Sequence, residues 1–355
     1  MTIDTESPVM ITGATGYVCG PIVKELLEAG LTVHAPVRNP DDKEKLKYLT
    51  DIADASKGSI KFFKADLLDE GSYLEAMKGC SVVIHTASPF VTNVAKDKLD
   101  EVLFGPAVKG TTNVLNSVSK TPTVKRVVVT SSCFALLTDA ADCKKAPNGV
   151  ITEEIWNTTA SRTYNSYAYS KVLAEKEAWK IADAQSQYKL VVVNPGWVMG
   201  PGLKVHETSE SYQIIKMVGD GSFKTGAPDM GSFIVDVRDV AKAHLAAAYE
   251  ENAEGRYICV GHNTSLFAFT QTLIPKYGAE YPLPTSMAPW LLLWLIGPAI
   301  GMPRKTVWRG CGHKPNLDNS KSIKDLKMTY RPMEETFPEM FQQMIDGGMI
   351  PTPTK

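Results

Sequence analysis

The stretch VMITGATGYVCG, Val9 to Gly20, constrains the fold more than any other part of the chain. A short apolar run ends at Thr12, and two glycines three apart, Gly13 and Gly16, follow it. An apolar periodicity then begins at once. Val18, Ile22, Val23, Leu26 and Leu27 recur on one side of a helix expected from Tyr17 to Ala29. A strand that turns through glycine straight into a helix places the helix N-terminus at the strand's carboxyl end. Unpaired backbone N–H groups and the helix dipole favour a negative group there, such as a pyrophosphate. The first glycine permits the tight turn and the second lets phosphates approach the backbone. Cys19, with Gly20 beside it, takes the third, small position. A glycine turn alone is weak evidence, but its place between strand and helix points to dinucleotide binding.

The same alternation runs through the first two hundred residues. LTVHAPV, SIKFFKAD, SVVIHTAS, VKRVVVTSS and YKLVVVNPG read as strands. Helices are expected in SYLEAMKG, from about Leu99 to Ser119, and in SYAYSKVLAEKEAWKIADA. Nearly unbroken apolar strands between helices predict an α/β fold with a parallel sheet covered on both faces. Pro36 has no ladder donor and belongs near the end of its strand. Beyond Gly200 the pattern loosens. VRDVAKAHLAAAYE predicts a helix and GRYICVG a strand, and FTQTLIPKY and the Trp290 region read as helical. The expected division is a nucleotide-binding part over residues 1–200 and a mainly substrate-binding part over 201–355, with some later segments returning to the first. The run APWLLLWLIGPAIGMP is shorter than a membrane span and is broken by Gly297 and Pro298. Its Trp290–Ile300 stretch is expected to be buried or to wall a pocket, with no membrane partner; surface contact with a membrane or a second subunit is the alternative.

Charge and cysteine usage narrow the partners. The formal net charge is −1, and no basic stripe with interleaved aromatics occurs, so no nucleic acid is expected. The six cysteines form no CxxC, and the six histidines form no HExxH, so no metal site is expected. GxSxG is also absent. The start MTIDTESPVM has no basic region followed by an apolar one. A reducing, cytoplasmic location is therefore expected.

The second strand bears on the cofactor. An acidic residue at its end would accept from an adenosine ribose. The chain has Arg38 there instead, with Lys45 seven residues on. A guanidinium suits the 2'-phosphate of NADPH. Asp66 and Leu67, after the third strand, are placed to flank the adenine; helix capping is the other role open to Asp66.

TYNSYAYSK, Thr163 to Lys171, holds three tyrosines before one lysine. Only Tyr167 is four residues from Lys171 and so shares its helix face. A nearby ammonium favours a phenolate, which makes Tyr167 a proton donor or acceptor for a carbonyl–alcohol pair. VVVTSSCFA supplies a hydroxyl to orient the carbonyl oxygen. Ser132 is the candidate and Ser131 the alternate. His85 reads as structural, and Cys133 as packing.

Together these pieces resemble the extended short-chain dehydrogenase/reductase family. TGATGYVCG is similar to its glycine signature and YAYSK to its tyrosine and lysine. PVRNPDDKEK, KADLLDEGSY, VIHTASPF, YSKVLAEKEAW, NPGWVMGPG, DVRDVAKAHL and DNSKSIKDLKMTYRPMEET resemble its dihydroflavonol reductase and cinnamoyl-CoA reductase branch. The resemblance covers nearly the whole chain. It implies a Rossmann-type doubly wound sheet with a smaller C-terminal substrate region, NADPH as cofactor, and a Ser132, Tyr167 and Lys171 triad. It implies cofactor contacts at Gly13, Thr15, Gly16, Tyr17, Val18, Arg38, Lys45, Asp66, Leu67, Thr86, Ala87, Ser88, Tyr167, Lys171, Pro195 and Val198, and a structural role for Asn113. After the serine, TSSCFALL differs from the flavonoid enzymes, and the cinnamoyl-type NWYCYGK pattern is absent.

The expected activity is reduction of an aldehyde or ketone, or the reverse oxidation, by a monomer or homodimer. A hydroxysteroid dehydrogenase or an NAD-dependent sugar-nucleotide epimerase would use the same scaffold, and Arg38 speaks against the NAD version. A non-catalytic dinucleotide-binding regulator would have no need of serine, tyrosine and lysine together.

Overall fold

A computed structural model describes residues 4–88 and 95–351. The strands in chain order are β1 (Val9–Thr12), β2 (Thr32–Val37), β3 (Ser59–Lys64), β4 (Val82–His85), β5 (Arg126–Thr130) and β6 (Lys189–Pro195). They continue as β7 (Trp197–Met199), β8 (Ala227–Pro228), β9 (Gly231–Asp236), β10 (Gly255–Cys259), β11 (His262–Ser265) and β12 (Met287–Ala288). Seven of them form a parallel sheet in the order β10-β6-β5-β4-β1-β2-β3. This is the doubly wound Rossmann-type α/β arrangement. Its order reverses between β1 and β4, and the crevice outside those two carboxyl ends is where such sheets bind ligands.

Alternation along each strand sorts the core. Val9 and Ile11 pack on one face with α1 (Cys19–Glu28), α2 (Lys43–Asp54) and α7 (Val237–Tyr249). Met10 packs on the other with α3 (Leu74–Met77), α4 (Gly105–Ser119) and α5 (Ser166–Asp183). Val128 faces the first layer, while Val127 and Val129 face the second. Burying each such side chain stabilises the fold by about 1.5–3 kcal/mol, and truncating fully buried Ile11 to alanine would cost about 2–5 kcal/mol. α7 and β10 lie beyond residue 200, yet both belong to this sheet layer. The C-terminal part has its own core of Met199, Tyr212, Phe269, Phe337 and Phe341, beside the small sheet β11-β9-β7.

Local departures have local causes. Pro36 stands fifth in six-residue β2, and the ladder to β1 has already ended at His34. The expected Leu99–Ser119 helix begins as a π turn over Asp100–Phe104. Pro106 has no N–H to give to the preceding turn, and the Gly105 N–H reaches back to the Asp100 carbonyl instead. FTQTLIPKY divides into Leu266–Gln271 and Ile274–Tyr277, with Pro275 in the first turn of the second piece.

The largest correction is the Trp290 region. Trp290–Ile296 is a helix, but only Leu293 is buried. Trp290, Leu291, Leu292, Leu295 and Ile296 are exposed. A uniformly apolar run of seven residues has no polar face to direct one side inward. No helix among the described residues is long and apolar enough to cross a membrane.

Candidate active site at the strand ends

The site forms where β1, β4, β5 and β6 end. Gly13 has φ +75°, and a side chain there would come within 2.9 Å of Thr86 Oγ1. Only glycine serves both the left-handed backbone and this close approach. Gly16 N–H donates to Gly13 O at 2.9 Å and Gly20 N–H to Gly16 O at 2.9 Å, so the turn winds directly into α1. Thr12 joins the two strands flanking the crevice. Its hydroxyl lies 2.9 Å from His85 Nδ1 and accepts from the N–H groups of Thr86 at 3.1 Å and Ala87 at 3.0 Å. Burial, with Lys171 as a second cause, holds His85 down to about 3, so His85 serves Thr12 as a neutral ring.

Thr15 and Gly16 lie at the accessible part of the turn. The Tyr17 side chain points elsewhere. Its hydroxyl donates to Gly200 O at 2.7 Å and its ring packs edge-on against Tyr212 at 5.2 Å. Tyr17 thus joins the glycine turn to the C-terminal part. Val18 is the residue just before α1 and packs against both cores.

Arg38 follows β2 and is exposed, as is Lys45 in the first turn of α2. No acidic side chain among the described residues pairs with either. Asp42, whose charge could have opposed them, caps α2 by accepting from the Lys45 N–H at 3.1 Å. Asp66 accepts from the Leu68 N–H at 2.9 Å and stays exposed. Asn113 pins the following loop through Gly71 N at 3.0 Å, Leu67 O at 3.2 Å and Asp69 O at 2.7 Å. Ala87 and Ser88 lie half-buried at the end of β4. Pro89 and Phe90, which end the VIHTASPF motif, lie outside the described residues. Pro195 closes β6 and Val198 lies in β7. A side chain at Gly196, between them, would meet Phe233 O at 2.4 Å.

The two serines after β5 differ sharply. Ser131 Oγ donates to Glu175 Oε2. Glu175 also accepts from Asn194 Nδ2 at 2.8 Å and pairs with Arg256 Nε at 2.6 Å, all in the interior. Ser131 is therefore committed to a buried network. Ser132 is half-buried; its Oγ accepts from the Phe134 N–H at 3.2 Å, and among the described residues no acceptor takes its own hydrogen.

Asn165 starts α5 from a left-handed conformation, φ 52°, and caps it by accepting from the Ala168 N–H at 3.0 Å. One turn later, Lys171 Nζ lies 5.6 Å from the centre of the Tyr167 ring. The Phe134 ring stands edge-on to Tyr167 at 6.0 Å and to Phe233 at 5.7 Å. Burial lowers Lys171 to about 8, and Glu175, one turn further along, opposes that shift. Burial raises the Tyr167 phenol above its ordinary value. The expectation that Lys171 draws the phenol down is thus corrected. Loss of solvent sets the direction of the shift, and the resting phenol keeps its proton.

The other tyrosines are engaged elsewhere. Tyr164 donates to Asp139 Oδ2 at 2.7 Å, and Tyr169 packs edge-on to Phe104 at 5.4 Å. Reading the sequence missed Thr12, Phe134, Glu175 and Arg256. Only Glu175 carried a signal, four residues after Lys171 on the same helix face. A groove of about 520 Å³ opens at the opposite end of the sheet, over Ser81, Lys125 and Tyr188. It touches none of these residues, and Arg126 in its wall is committed to the carbonyls of Ala247 and Ala253. Among the described residues no group of three or more His, Cys, Asp or Glu could hold a metal.

Residues 9–261 match the NAD dependent epimerase/dehydratase family, and the chain belongs to it. Its relatives place it in the extended short-chain dehydrogenase/reductase class, in the dihydroflavonol reductase-like branch. It is 34% identical to cinnamoyl-CoA reductase 1 of Petunia hybrida, over 98% of this chain and 95% of that one. It is 32% identical to tetraketide alpha-pyrone reductase 1 of Arabidopsis thaliana, over 97% of each. Among solved structures it resembles a yeast methylglyoxal/isovaleraldehyde reductase complexed with NADPH, with TM-score 0.75 and 26% identity over 97% of this chain and 100% of that chain. The chain is an NADP-dependent oxidoreductase acting on carbonyl or alcohol groups.

Proposed function

We propose that the chain reduces an aldehyde or ketone to an alcohol with NADPH, Tyr167 serving as general acid. The observation that carries this reading is Lys171 Nζ at 5.6 Å from the Tyr167 ring centre, with Phe134, two residues after Ser132, edge-on to the same ring. The residues present fit the cofactor. Gly13 and Gly16 leave a cradle that a side chain would fill, and Arg38 and Lys45 are unopposed cations for a 2'-phosphate. Thr15, Thr86, Ala87, Ser88, Pro195 and Val198 would line it, Asp66 and Leu67 would flank its adenine, and Lys171 would hold its ribose. When bound, the nicotinamide supplies the hydride.

The chain's own residues handle oxygen and proton. Ser132 Oγ–H donates to the carbonyl oxygen and strengthens as charge grows there. Tyr167 gives its proton to that oxygen. The Lys171 ammonium stabilises the phenolate left behind, at the moment when burial would otherwise penalise it. The reverse oxidation uses Tyr167 as base. Residues after 200, apart from α7, β10 and the exposed Trp290–Ile296 helix, are read as the substrate-binding part. The working unit on this reading is a monomer or homodimer in the cytoplasm, where the free cysteines stay reduced.

Tyr167→Phe keeps the ring and its packing and removes the proton. Turnover of an NADPH-coupled aldehyde should fall by roughly 10²–10⁴-fold while NADPH still binds. Near-native rates in the folded variant would refute the mechanism. Arg38→Ala should weaken NADPH by about tenfold or more and leave NADH nearly unchanged, since one charge-assisted contact contributes about 1.5–3 kcal/mol. Equal native use of both cofactors would contradict the assignment.

A further inference from the structure

We propose that the face built by Trp290–Ile296 and Arg304–Gly310 docks onto the surface of a lipid bilayer. The first observation is the shape of the exposed apolar surface. Successive helix positions are about 100° apart. Trp290, Leu291, Leu292, Leu295 and Ile296 therefore cover roughly 240° of the helix circumference, and all five are exposed. Leu293 alone faces the protein, at 7% exposure. A helix attached along one stripe and apolar round the rest presents no flat face for a folded partner. A fluid acyl boundary can surround it.

The second observation is the kind of side chain present. Trp308 is 63% exposed and stands edge-on to Trp290 at 6.0 Å, while Met287 is exposed on the approach to the helix. Trp294 lies under the Arg304 guanidinium at 4.7 Å. Tryptophan combines a large apolar ring with a polar N–H and suits the headgroup boundary.

The third observation is charge. From Tyr281 to Leu317 the chain contains no Asp or Glu, while Arg304, Lys305, Arg309 and Lys314 are cationic. Arg309 is neutralised by Asp139 and Asp142. Arg304 and Lys305 are exposed at the margin of the apolar face, where anionic headgroups would meet them. The overall charge of −1 offers no general attraction, so this is a local match. Lys305 lies 3.6 Å over the Tyr164 ring, three residues before Tyr167. The docked bilayer would thus lie on the side of the loop that leads into the catalytic helix.

The test is flotation of the full chain with vesicles of phosphatidylcholine and phosphatidylserine at 7:3. The wild type should float with them, and binding to pure phosphatidylcholine should be roughly tenfold weaker. Leu291→Asp/Leu295→Asp should weaken binding by roughly 100-fold and leave reduction of a water-soluble aldehyde unchanged. A measurement without variants uses brominated phosphatidylcholine in the mixed vesicles, which should quench part of the tryptophan emission. Absence of both flotation and quenching overturns the proposal. So does a folded double variant that floats like the wild type. A concentration-dependent dimer, abolished by the double variant in a protein that ignores vesicles, would assign the face to a second copy of the chain instead.

Discussion

Two arginine–carboxylate clusters flank the candidate site, one beneath α5 and one beneath the exposed apolar face. In the first, Arg256 meets Glu175 at 2.6 Å with both side chains almost wholly enclosed. In the second, Arg309 meets Asp139 at 2.8 Å and Asp142 at 2.6 Å, nearer to solvent. Their partners differ more than their chemistry. Glu175 also accepts from Ser131 and Asn194 and lies one turn from Lys171, whose ammonium it favours. Asp139 accepts from Tyr164, and Asp142 from Thr159 Oγ1 at 2.7 Å and the Thr138 N–H at 2.8 Å. The first cluster holds a sheet end, a helix and the charge of Lys171 together. The second ties a loop to a surface helix. The same ion pair therefore does different work according to its depth and to whether a titrating neighbour stands beside it.

Glu175→Gln is the strongest challenge to this contrast. It leaves Arg256 buried without its counter-charge, and breaking such a pair destabilises by about 3–5 kcal/mol. Urea unfolding measures that loss. The pH profile gives the more specific reading. Lys171, at about 8, is charged below that value and neutral above it. Reduction by the native protein should hold up to about pH 8 and fall beyond it as the ammonium is lost. Without Glu175 the Lys171 value drops further, so the alkaline fall should move to lower pH. An unmoved limb in the folded variant would reduce Glu175 to a purely structural role. The same depression links to stability. Between about 8 and the ordinary 10.5, the unfolded chain binds the proton that the native chain has released, so stability from this group rises with pH across that window.

A double change, Glu175→Met with Arg256→Met, sharpens the point. Replacing a whole buried pair by apolar side chains of similar volume is often neutral or stabilising by about 1–4 kcal/mol. Stability should then recover while the displaced pH profile remains. Recovery of both would locate the effect in Arg256 rather than in the charge of Glu175.

These contrasts mark where the sequence was readable. Strands enclosed on both faces, such as RVVVT and KLVVVNP, need apolar residues at every position, and this leaves a local signal. A glycine turn between strand and helix is also local, as is the four-residue spacing of Tyr167 and Lys171. Glu175 stands four residues after Lys171, among the charges of LAEKEAW. Its burial depends on Arg256, eighty-one residues away on a neighbouring strand. The choice between Ser131 and Ser132 needed the same knowledge, because both follow β5 directly. The Trp290 region was misjudged for the opposite reason. Apolar composition argues for burial, but burial also requires a complementary surface, and the fold presents one only to Leu293.

The smallest expected effect belongs to the second cluster. Asp139→Asn keeps a carbonyl oxygen able to accept from both Tyr164 and Arg309. The acid's other oxygen, Oδ1, is enclosed without a partner among the described residues, so no bond is lost there. The negative charge disappears, an amide N–H₂ takes the enclosed place of Oδ1, and Arg309 still has Asp142. For a partly solvated pair that loss amounts to about 1 kcal/mol. The unfolding midpoint should drop slightly, and the Tyr164 hydroxyl, raised by burial and then by Asp139, should titrate somewhat lower. The alkaline limb of turnover should stay where it is, because no part of this cluster sets the charge on Lys171. A limb displaced as far as in Glu175→Gln would mean that the two clusters act on the site alike, and that depth is not what separates them.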